Sequence, residues 1–149
     1  MKVQIYTMQT VSEALAAAAA GVEYLGLTPS NRGLPGEIDF ATAREIADAL
    51  KGKAQRVALS VESDLGAIAD MVAAVQPDVL HLCGNISLVT PEQVKVLREK
   101  LLPLYPALRI LQAIPMTGPE ALDHAAAFEP YSDLFILDSV AAHIGFLAG

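Results

Sequence analysis

The chain contains one cysteine among 149 residues, so it cannot form an internal disulfide framework. A chain without disulfides is typical of a reducing compartment, and we expect a cytoplasmic protein. Basic residues are also scarce, since ten Lys and Arg stand against 17 Asp and Glu and leave a formal net charge of −7. An acidic balance with no cluster of basic side chains argues against a nucleic-acid partner.

Two further absences narrow the class of protein. No apolar run reaches the roughly 18 residues that a membrane-spanning helix needs, so we expect no membrane partner. The sequence also contains neither G-x-G-x-x-G nor G-x-x-x-x-G-K-[ST], the glycine-rich signals of nucleotide-binding turns. Hydrophobic residues, in contrast, make up 53% of the chain, which excludes a disordered protein and predicts a sizeable core.

Short apolar runs alternate with longer helical stretches, with a period of about 25 residues. Most of the runs are apolar on both faces, as buried parallel strands are. Such alternation predicts βαβ units, as in a doubly wound sheet or a (β/α)₈ barrel. The predicted strands lie near residues 2–7, 24–28, 56–61, 78–83, 109–114 and 133–138.

The starts of the helices carry capping signals. Thr10 and Glu13 match a capping box, in which each side chain accepts a hydrogen bond from the backbone N–H of the other residue. Thr90 and Pro91 match an N-cap followed by proline in the first helical position. These and similar signals predict five helices, which begin after Thr10, Asp39, Asp64 and Thr90 and at Pro119.

Polar side chains gather at the carboxyl ends of the predicted strands, where (β/α) barrels keep their active sites. Asp138 follows the apolar run 135–137, so it should be partly buried, in a position where a carboxyl can donate or accept a proton. The alternative is that Asp138 only caps the next loop, and the residues leave both interpretations open. Tyr6 ends the first strand, and packing against a ligand suits it better than service as a base, because the ordinary tyrosine pKa is about 10.

Three other candidates lie near the same strand ends. His81 and Cys83 are two residues apart on one strand and therefore point to the same face. They are too few to hold zinc, which takes three or four protein ligands, and a lone cysteine is more often a core residue than a catalytic one. Arg32 lies in a loop rich in glycine and proline, where it could grip a carboxylate or a phosphate, although a solvated arginine is the commoner outcome.

Several motifs, in their order and spacing, resemble the phosphoribosylanthranilate isomerase family, whose members are (β/α)₈ TIM barrels of the ribulose-phosphate-binding type. Residues 16–27 are similar to the family's first helix and second strand, and Ser30-Asn31-Arg32 stands where the family has Ser-Pro-Arg. Leu137-Asp138-Ser139 matches the family's Leu-Asp-Ser on the sixth strand. Residues 1–5 and 77–84 resemble its first and fourth strands.

The resemblance implies an Amadori rearrangement in tryptophan biosynthesis, in which a phosphoribosyl-amine aldose becomes a ketose. It implies that Asp138 is the general acid and that Arg32 holds the substrate's carboxylate. It also implies a small phosphorylated substrate, no metal and no organic cofactor, and it is compatible with a homodimer. The catalytic candidates are therefore Asp138, Cys83 and Tyr6, and the substrate-binding candidates are Arg32 and His81.

One departure from the family concerns the general base. The family has a cysteine followed by glycine at the end of the first strand, where this chain has Tyr6-Thr7, and Cys83 lies on another strand. Three interpretations follow. The protein is a divergent isomerase with another base, such as Cys83 or Tyr6; or a related phosphosugar-binding barrel recruited to a lyase or epimerase reaction; or a non-catalytic binding protein on the same scaffold.

A second departure concerns length. Six units of about 25 residues account for the whole chain, whereas a complete barrel has eight units and typically about 250 residues. We therefore expect one (β/α) barrel domain over residues 1–149 that lacks its last two βα units. Without those two units the chain would also lack the family's phosphate site. We therefore expect a longer gene product.

Overall fold

The computed structural model describes residues 2–139, and this range holds the six strands and five helices predicted from the sequence. The strands are β1 (Gln4–Tyr6), β2 (Tyr24–Leu27), β3 (Gln55–Ser60), β4 (Val79–Leu82), β5 (Arg109–Pro115) and β6 (Leu134–Asp138). The helices are α1 (Val11–Ala19), α2 (Phe40–Leu50), α3 (Leu65–Val75), α4 (Pro91–Leu101) and α5 (Glu120–Phe128). A 3₁₀ turn, Glu129–Tyr131, follows α5 directly.

All six strands form one parallel sheet, and their order in the sheet is their order in the chain. Strands in sequential order, with a helix between each pair, are the arrangement of a (β/α) barrel, whereas a doubly wound sheet reverses its order at a switch point. The observed order confirms the predicted barrel-type α/β fold, with five βα units and a sixth strand within residues 2–139. That two further units follow Gly149 stays a prediction.

Apolar side chains pack on both sides of this sheet. The larger cluster lies between the sheet and the helices and includes Leu25, Ile46 and Ile110. The smaller cluster lies on the opposite face of the strands and includes Leu59 and Leu111. The alternation along each strand separates the two faces and so decides which polar side chains share the inner one. In the described range no helix is long and apolar enough to cross a membrane.

The predicted helix starts are confirmed, with one difference in detail. Thr10 Oγ1 accepts a hydrogen bond from the N–H of Glu13 at 3.1 Å, as predicted for the start of α1. The Glu13 carboxylate accepts from the N–H of Gln9, at 2.9 Å, and not from that of Thr10. The long glutamate side chain reaches one residue further back, where it still satisfies an amide at the helix start. At α4, Thr90 and Gln93 form the complete reciprocal box.

Candidate functional site

A cavity of about 350 Å³ opens at the carboxyl ends of the strands. This volume lies within the range of small-molecule sites, and the position is the one that barrel enzymes use. Four of the five site residues predicted from the sequence meet in it, so the expectation that the strand ends converge is confirmed for them. The lining consists of Tyr6, Thr7, Pro35, Gly36, Leu59, His81, Cys83, Ile136, Leu137 and Asp138.

Asp138 is the last residue of β6 and is partly buried, as the apolar run before it predicts. Its backbone is fixed by the sheet, because its carbonyl oxygen accepts a hydrogen bond from the N–H of Met116 at 2.8 Å. The carboxylate lies close enough to Tyr6 and Cys83 to disfavour their ionised forms electrostatically. Asp138 thus places a carboxyl group at the edge of the cavity, next to two groups that hold their protons.

Cys83 follows β4 and is buried, and its thiol donates a hydrogen bond to the carbonyl oxygen of Ser60 at 3.4 Å. Burial, reinforced by the charge of Asp138, raises the pKa of Cys83 to about 12. The thiolate is the nucleophilic and basic form of cysteine, and it is scarce at neutral pH under these conditions. The structure therefore presents Cys83 to the cavity as a neutral thiol.

Tyr6 ends β1 and is half-exposed, with its ring edge-on to that of His81 at a centroid distance of 6.3 Å. Its pKa is raised by burial and then by the charge of Asp138. The neighbouring strand makes room for this side chain at Gly26, where a Cβ atom would lie 2.5 Å from Tyr6 Cβ. Tyr6 is therefore a protonated phenol that forms one wall of the cavity.

His81 lies in the middle of the inner face and is only 3% exposed. Burial lowers the pKa of its ring to about 4, so the imidazole is neutral at pH 7. Its Nδ1 lies 3.4 Å from the Nε2 atom of Gln4, which comes from β1 on another part of the barrel wall. Its own Nε2 is buried and finds no hydrogen-bond partner within residues 2–139.

Arg32 is the predicted site residue that does not line this cavity. Its guanidinium group lies 3.3 Å from the carboxylate of Glu62 and its side chain is 42% exposed. A pair with this exposure is screened by water and holds the side chain only weakly. Glu62 itself lines a second cavity of about 370 Å³, together with Ser30, Asn31 and other residues of the neighbouring loops.

Hydrogen bonds fix the conformation of the loop that carries Arg32, and this loop borders the first cavity. The Glu37 carboxylate accepts hydrogen bonds from the N–H groups of Leu34, Gly33 and Arg32 at 2.9–3.0 Å, which lowers the pKa of Glu37. Gly36 has a φ of +71°, a conformation that favours glycine. Its carbonyl oxygen accepts a hydrogen bond from Thr7 Oγ1 at 3.2 Å, so the loop is attached to the end of β1.

Sequence reasoning missed Gln4, the partner of His81. The signal was present, because Gln4 precedes Tyr6 by two residues and so shares its face of β1. Sequence reasoning placed Thr7 at the end of the first strand but did not select Thr7 or Gly36 as a site residue, and both line the cavity. Within residues 2–139, no group of three or more His, Cys, Asp or Glu side chains could hold a metal ion.

Comparison with known proteins gives a consistent result in sequence. No family model matches the chain. It is 32% identical to an N-(5′-phosphoribosyl)anthranilate isomerase of Azorhizobium caulinodans, over 89% of this chain and 53% of that protein. It is 30% identical to one from Rhodopseudomonas palustris, over 93% of this chain and 60% of that protein. The chain therefore spans between half and two thirds of the length of these curated relatives.

Solved structures give the same result for the fold. The phosphoribosylanthranilate isomerase of Thermus thermophilus matches with a TM-score of 0.72 and 22% identity, over 93% of this chain and 62% of that one. Monomers of the dimeric Thermotoga maritima enzyme match with a TM-score of 0.73 and 19% identity, over 94% and 64%. Sequence and fold together confirm the resemblance, and this chain is a homologue of the phosphoribosylanthranilate isomerases over the part of those proteins that it spans.

Proposed function

We propose that this chain carries the chemistry of an aldose–ketose isomerase that acts on a phosphoribosyl amine in tryptophan biosynthesis. The observation that carries the proposal is the position of Asp138, a partly buried carboxyl at the edge of a ligand-sized cavity at the carboxyl ends of the strands. The homology to N-(5′-phosphoribosyl)anthranilate isomerases supplies the substrate class. The substrate is then a small phosphorylated molecule.

The first step in this proposal is the opening of the ribose ring. The Asp138 carboxyl group gives its proton to the ring oxygen, the bond between C1 and that oxygen breaks, and the nitrogen lone pair forms a C=N⁺ bond to C1. Removal of the C2 proton then gives an enolamine, and protonation at C1 with loss of the C2 hydroxyl proton gives the aminoketose. The protons gained at the ring oxygen and at C1 balance those lost from C2 and from its hydroxyl group, so no oxidant or reductant is needed.

The base in the second step is the point at which this chain departs from its family. Tyr6 and Cys83 both line the cavity, but their raised pKa values keep both protonated at neutral pH. They suit hydrogen-bond donation to the ligand better than proton abstraction. The Asp138 carboxylate left by the first step lies in the same cavity, and we assign it the second proton transfer as well.

Arg32 is proposed to bind the carboxylate of the substrate. The loop that carries it borders the cavity through Pro35 and Gly36, and its present partner, Glu62, forms only an exposed ion pair. A planar guanidinium group binds a carboxylate through two parallel hydrogen bonds, so a substrate carboxylate can replace Glu62. His81 is proposed as a further substrate-binding residue on the floor of the cavity. A homodimer is proposed on the model of the dimeric Thermotoga maritima enzyme.

A second function, binding of a phosphorylated ligand without turnover, is favoured by one observation. The groups that could replace the missing cysteine base hold their protons at neutral pH. Under this alternative the cavity, Arg32 and His81 would bind the ligand. Substitution of Asp138 would then change no reaction rate, because the protein catalyses no reaction.

The test is turnover of N-(5′-phosphoribosyl)anthranilate by the purified chain and two variants. The parent is expected to convert the compound, and Asp138→Asn to lower kcat by about 10²–10⁴-fold. Asp123→Asn, on the outer helix α5, is the matched control and should retain the parental rate. Binding without any turnover by the parent would favour the second function. Equal rates in parent and Asp138→Asn would overturn the role of Asp138.

A further inference from the structure

The inner face of the barrel holds a polar pair that the proposed reaction does not yet use. His81 on β4 and Gln4 on β1 are 77 positions apart in the chain, and the curvature of the sheet brings the Gln4 Nε2 atom to 3.4 Å from His81 Nδ1. With the Gln4 amide in this orientation its NH₂ group donates, and His81 Nδ1 is the acceptor in this contact. In a neutral imidazole the other nitrogen then carries the proton.

That proton finds no acceptor in the part of the chain that the structure describes. His81 is 97% buried, since only 3% of it is exposed, and its Nε2 atom has no hydrogen-bond partner within residues 2–139. Buried donors almost always have a hydrogen-bond partner in native proteins. We take an unpaired donor in the lining of a cavity to indicate that a bound ligand supplies the acceptor. His81 lines the cavity that also holds Asp138.

We propose that His81 is a neutral hydrogen-bond donor, through Nε2–H, to an oxygen atom of the bound ligand, and that Gln4 is the residue that positions it by holding the tautomer. This deepens the proposed function and rests on it for the identity of the ligand. The chemical requirement is an oxygen with a free lone pair. In the proposed reaction the oxygen on C2 changes from a hydroxyl to a carbonyl, and a neutral N–H group can donate to it in both states.

The position of Tyr6 agrees with this assignment. Its ring meets that of His81 edge-on, and both side chains line the cavity, so the two rings form adjacent parts of its lining. Because burial keeps the imidazole neutral across the physiological range, the donor is present without a change of charge. This is the arrangement of an electrophilic histidine and not that of a general base.

The tautomer is tested in the free protein by ¹⁵N NMR of the histidine rings. The His81 signals, assigned by their loss in His81→Gln, should show a protonated Nε2 and an unprotonated Nδ1 at pH 7. Gln4→Leu removes the donor to Nδ1 and should give a mixture of tautomers. A protonated Nδ1 in the parent would overturn the inference, whatever the ligand is.

The ligand contact is tested with reduced 1-(o-carboxyphenylamino)-1-deoxyribulose 5-phosphate, named here the ribulose analogue, which is bound in one of the solved phosphoribosylanthranilate isomerase structures. We expect His81→Leu to raise its Kd about tenfold, the loss of one hydrogen bond at the upper end of its range. His81→Gln keeps an N–H donor and should stay within about threefold of the parent. His124→Gln, outside the cavity, is the matched control and should bind like the parent.

The two proposals fail in different ways. If the parent does not bind the ribulose analogue, the proposed function is wrong, and the NMR result alone then supports or overturns the assignment of His81. If the parent binds the analogue and His81→Leu binds it equally well, the donor role is overturned while the proposed function stands. A downfield shift of the His81 Nε2–H proton on binding supports both.

Discussion

The two ends of the six strands hold their polar side chains in different ways. At the amino ends, the Asp78 carboxylate accepts two side-chain hydrogen bonds from Arg56, at 2.8 and 2.6 Å, and one from the Arg56 N–H at 2.9 Å. Asp133 accepts two from Arg98, at 2.9 and 3.2 Å, and one from the N–H of Ile110 at 2.8 Å. Each carboxylate thus accepts three hydrogen bonds, which lower its pKa against the effect of burial.

The amino ends also satisfy a buried phenol. The Tyr24 hydroxyl lies 3.2 Å from Lys2 Nζ and 3.4 Å from a guanidinium nitrogen of Arg109, and both cations lie near the face of its ring. The hydrogen bond from Arg109, followed by the contribution of Lys2, lowers the pKa of Tyr24 against the effect of burial. Tyr24 and Tyr6, on the same face of neighbouring strands, therefore have pKa values shifted in opposite directions.

At the carboxyl ends, burial instead favours the neutral forms of the polar groups. It is the largest cause of the raised pKa values of Cys83 and Tyr6 and of the lowered pKa of His81. Within residues 2–139, four buried side-chain atoms have no hydrogen-bond partner: Thr28 Oγ1, His81 Nε2, Gln112 Oε1 and Ser132 Oγ. Ser132 precedes the amino end of β6, so these atoms alone do not separate the two ends; the paired carboxylates at one end and the cavity at the other do. In (β/α) barrels the amino face stabilises the fold and the carboxyl face carries the active site, which is the division that we propose for this chain.

The largest expected effect separates the two ends of a single strand, β6. Asp138→Asn, at the carboxyl end, should lower kcat toward N-(5′-phosphoribosyl)anthranilate by about 10²–10⁴-fold, because it removes the carboxyl group to which we assign the proton transfers. Asp133→Asn, before the amino end of the same strand, should keep kcat and lower the free energy of unfolding instead. Steady-state kinetics measure kcat and urea titrations measure the free energy of unfolding for both variants. A loss of kcat in Asp133→Asn would contradict the assignment of the amino end to stability.

The second effect is a pH dependence of stability due to His81. Its folded pKa is about 4, below the ordinary value of 6.5, so between these values the unfolded chain binds a proton that the folded chain refuses. Stability should therefore fall as the pH drops from 6.5 to 4, by about 3 kcal/mol in total. Urea titrations at several pH values in this window should show that the free energy of unfolding of His81→Leu depends less steeply on pH than that of the parent. His124→Gln should show the parental pH dependence. An unchanged pH dependence in His81→Leu would contradict the account.

The third effect measures the amino ends. Asp78→Ala removes a carboxylate that accepts three hydrogen bonds and should cost about 2 kcal/mol in the free energy of unfolding. Asp48→Ala, which breaks an exposed pair with Arg44 on α2, is the matched control and should cost about 0.5 kcal/mol or less. If both variants lose the same free energy of unfolding, the Arg56–Asp78 pair stabilises the fold no more than an exposed surface ion pair does.

The Asp78 pair also has a predictable pH window. Burial alone would raise the pKa of Asp78, but the hydrogen bonds from Arg56 outweigh it and lower the pKa. The pair therefore stabilises the fold above the ordinary aspartate pKa of about 3.9, and the contribution is lost as the pH falls through the folded value. The difference between parent and Asp78→Ala should shrink below about pH 4 and stay constant above pH 5.

The smallest effect concerns Cys83. Cys83 is a neutral thiol that donates a hydrogen bond to the Ser60 carbonyl oxygen. We therefore expect Cys83→Ala to change kcat by less than about threefold, which is about 0.6 kcal/mol in the activation free energy. A base would be far more sensitive, since its loss costs about 10²–10⁴-fold. Measured kcat values for parent and Cys83→Ala therefore decide whether Cys83 has taken over the role of the family's cysteine.

Much of the fold was predictable because local patterns determine it. The apolar run 56–61 gave β3 at Gln55–Ser60, and Asp39 was correctly predicted as the N-cap of α2, since its side chain accepts from the N–H of Thr42 at 2.7 Å. The convergence of Tyr6, His81 and Asp138 followed from parallel strand ends alone.

The remaining features depend on contacts between distant parts of the chain. The contact of Gln4 with His81 depends on the curvature of the sheet, which no local pattern encodes. The pairing of Arg32 with Glu62 depends on the conformations of two separate loops, and a sequence shows only that both charges are present. The pKa shifts of Cys83 and His81 likewise follow from burial at the tertiary level.

The central claim is that ligands bind at the carboxyl ends of the strands while the amino ends serve stability. Titration of the ¹⁵N-labelled chain with the ribulose analogue, followed by the shifts of backbone amide signals, tests it most directly. The account predicts saturable shifts at Thr7, Gly36 and Asp138, with unchanged signals at Gln55 and Asp78. Shifts confined to the amino ends, or no saturable shift at any concentration, would contradict it.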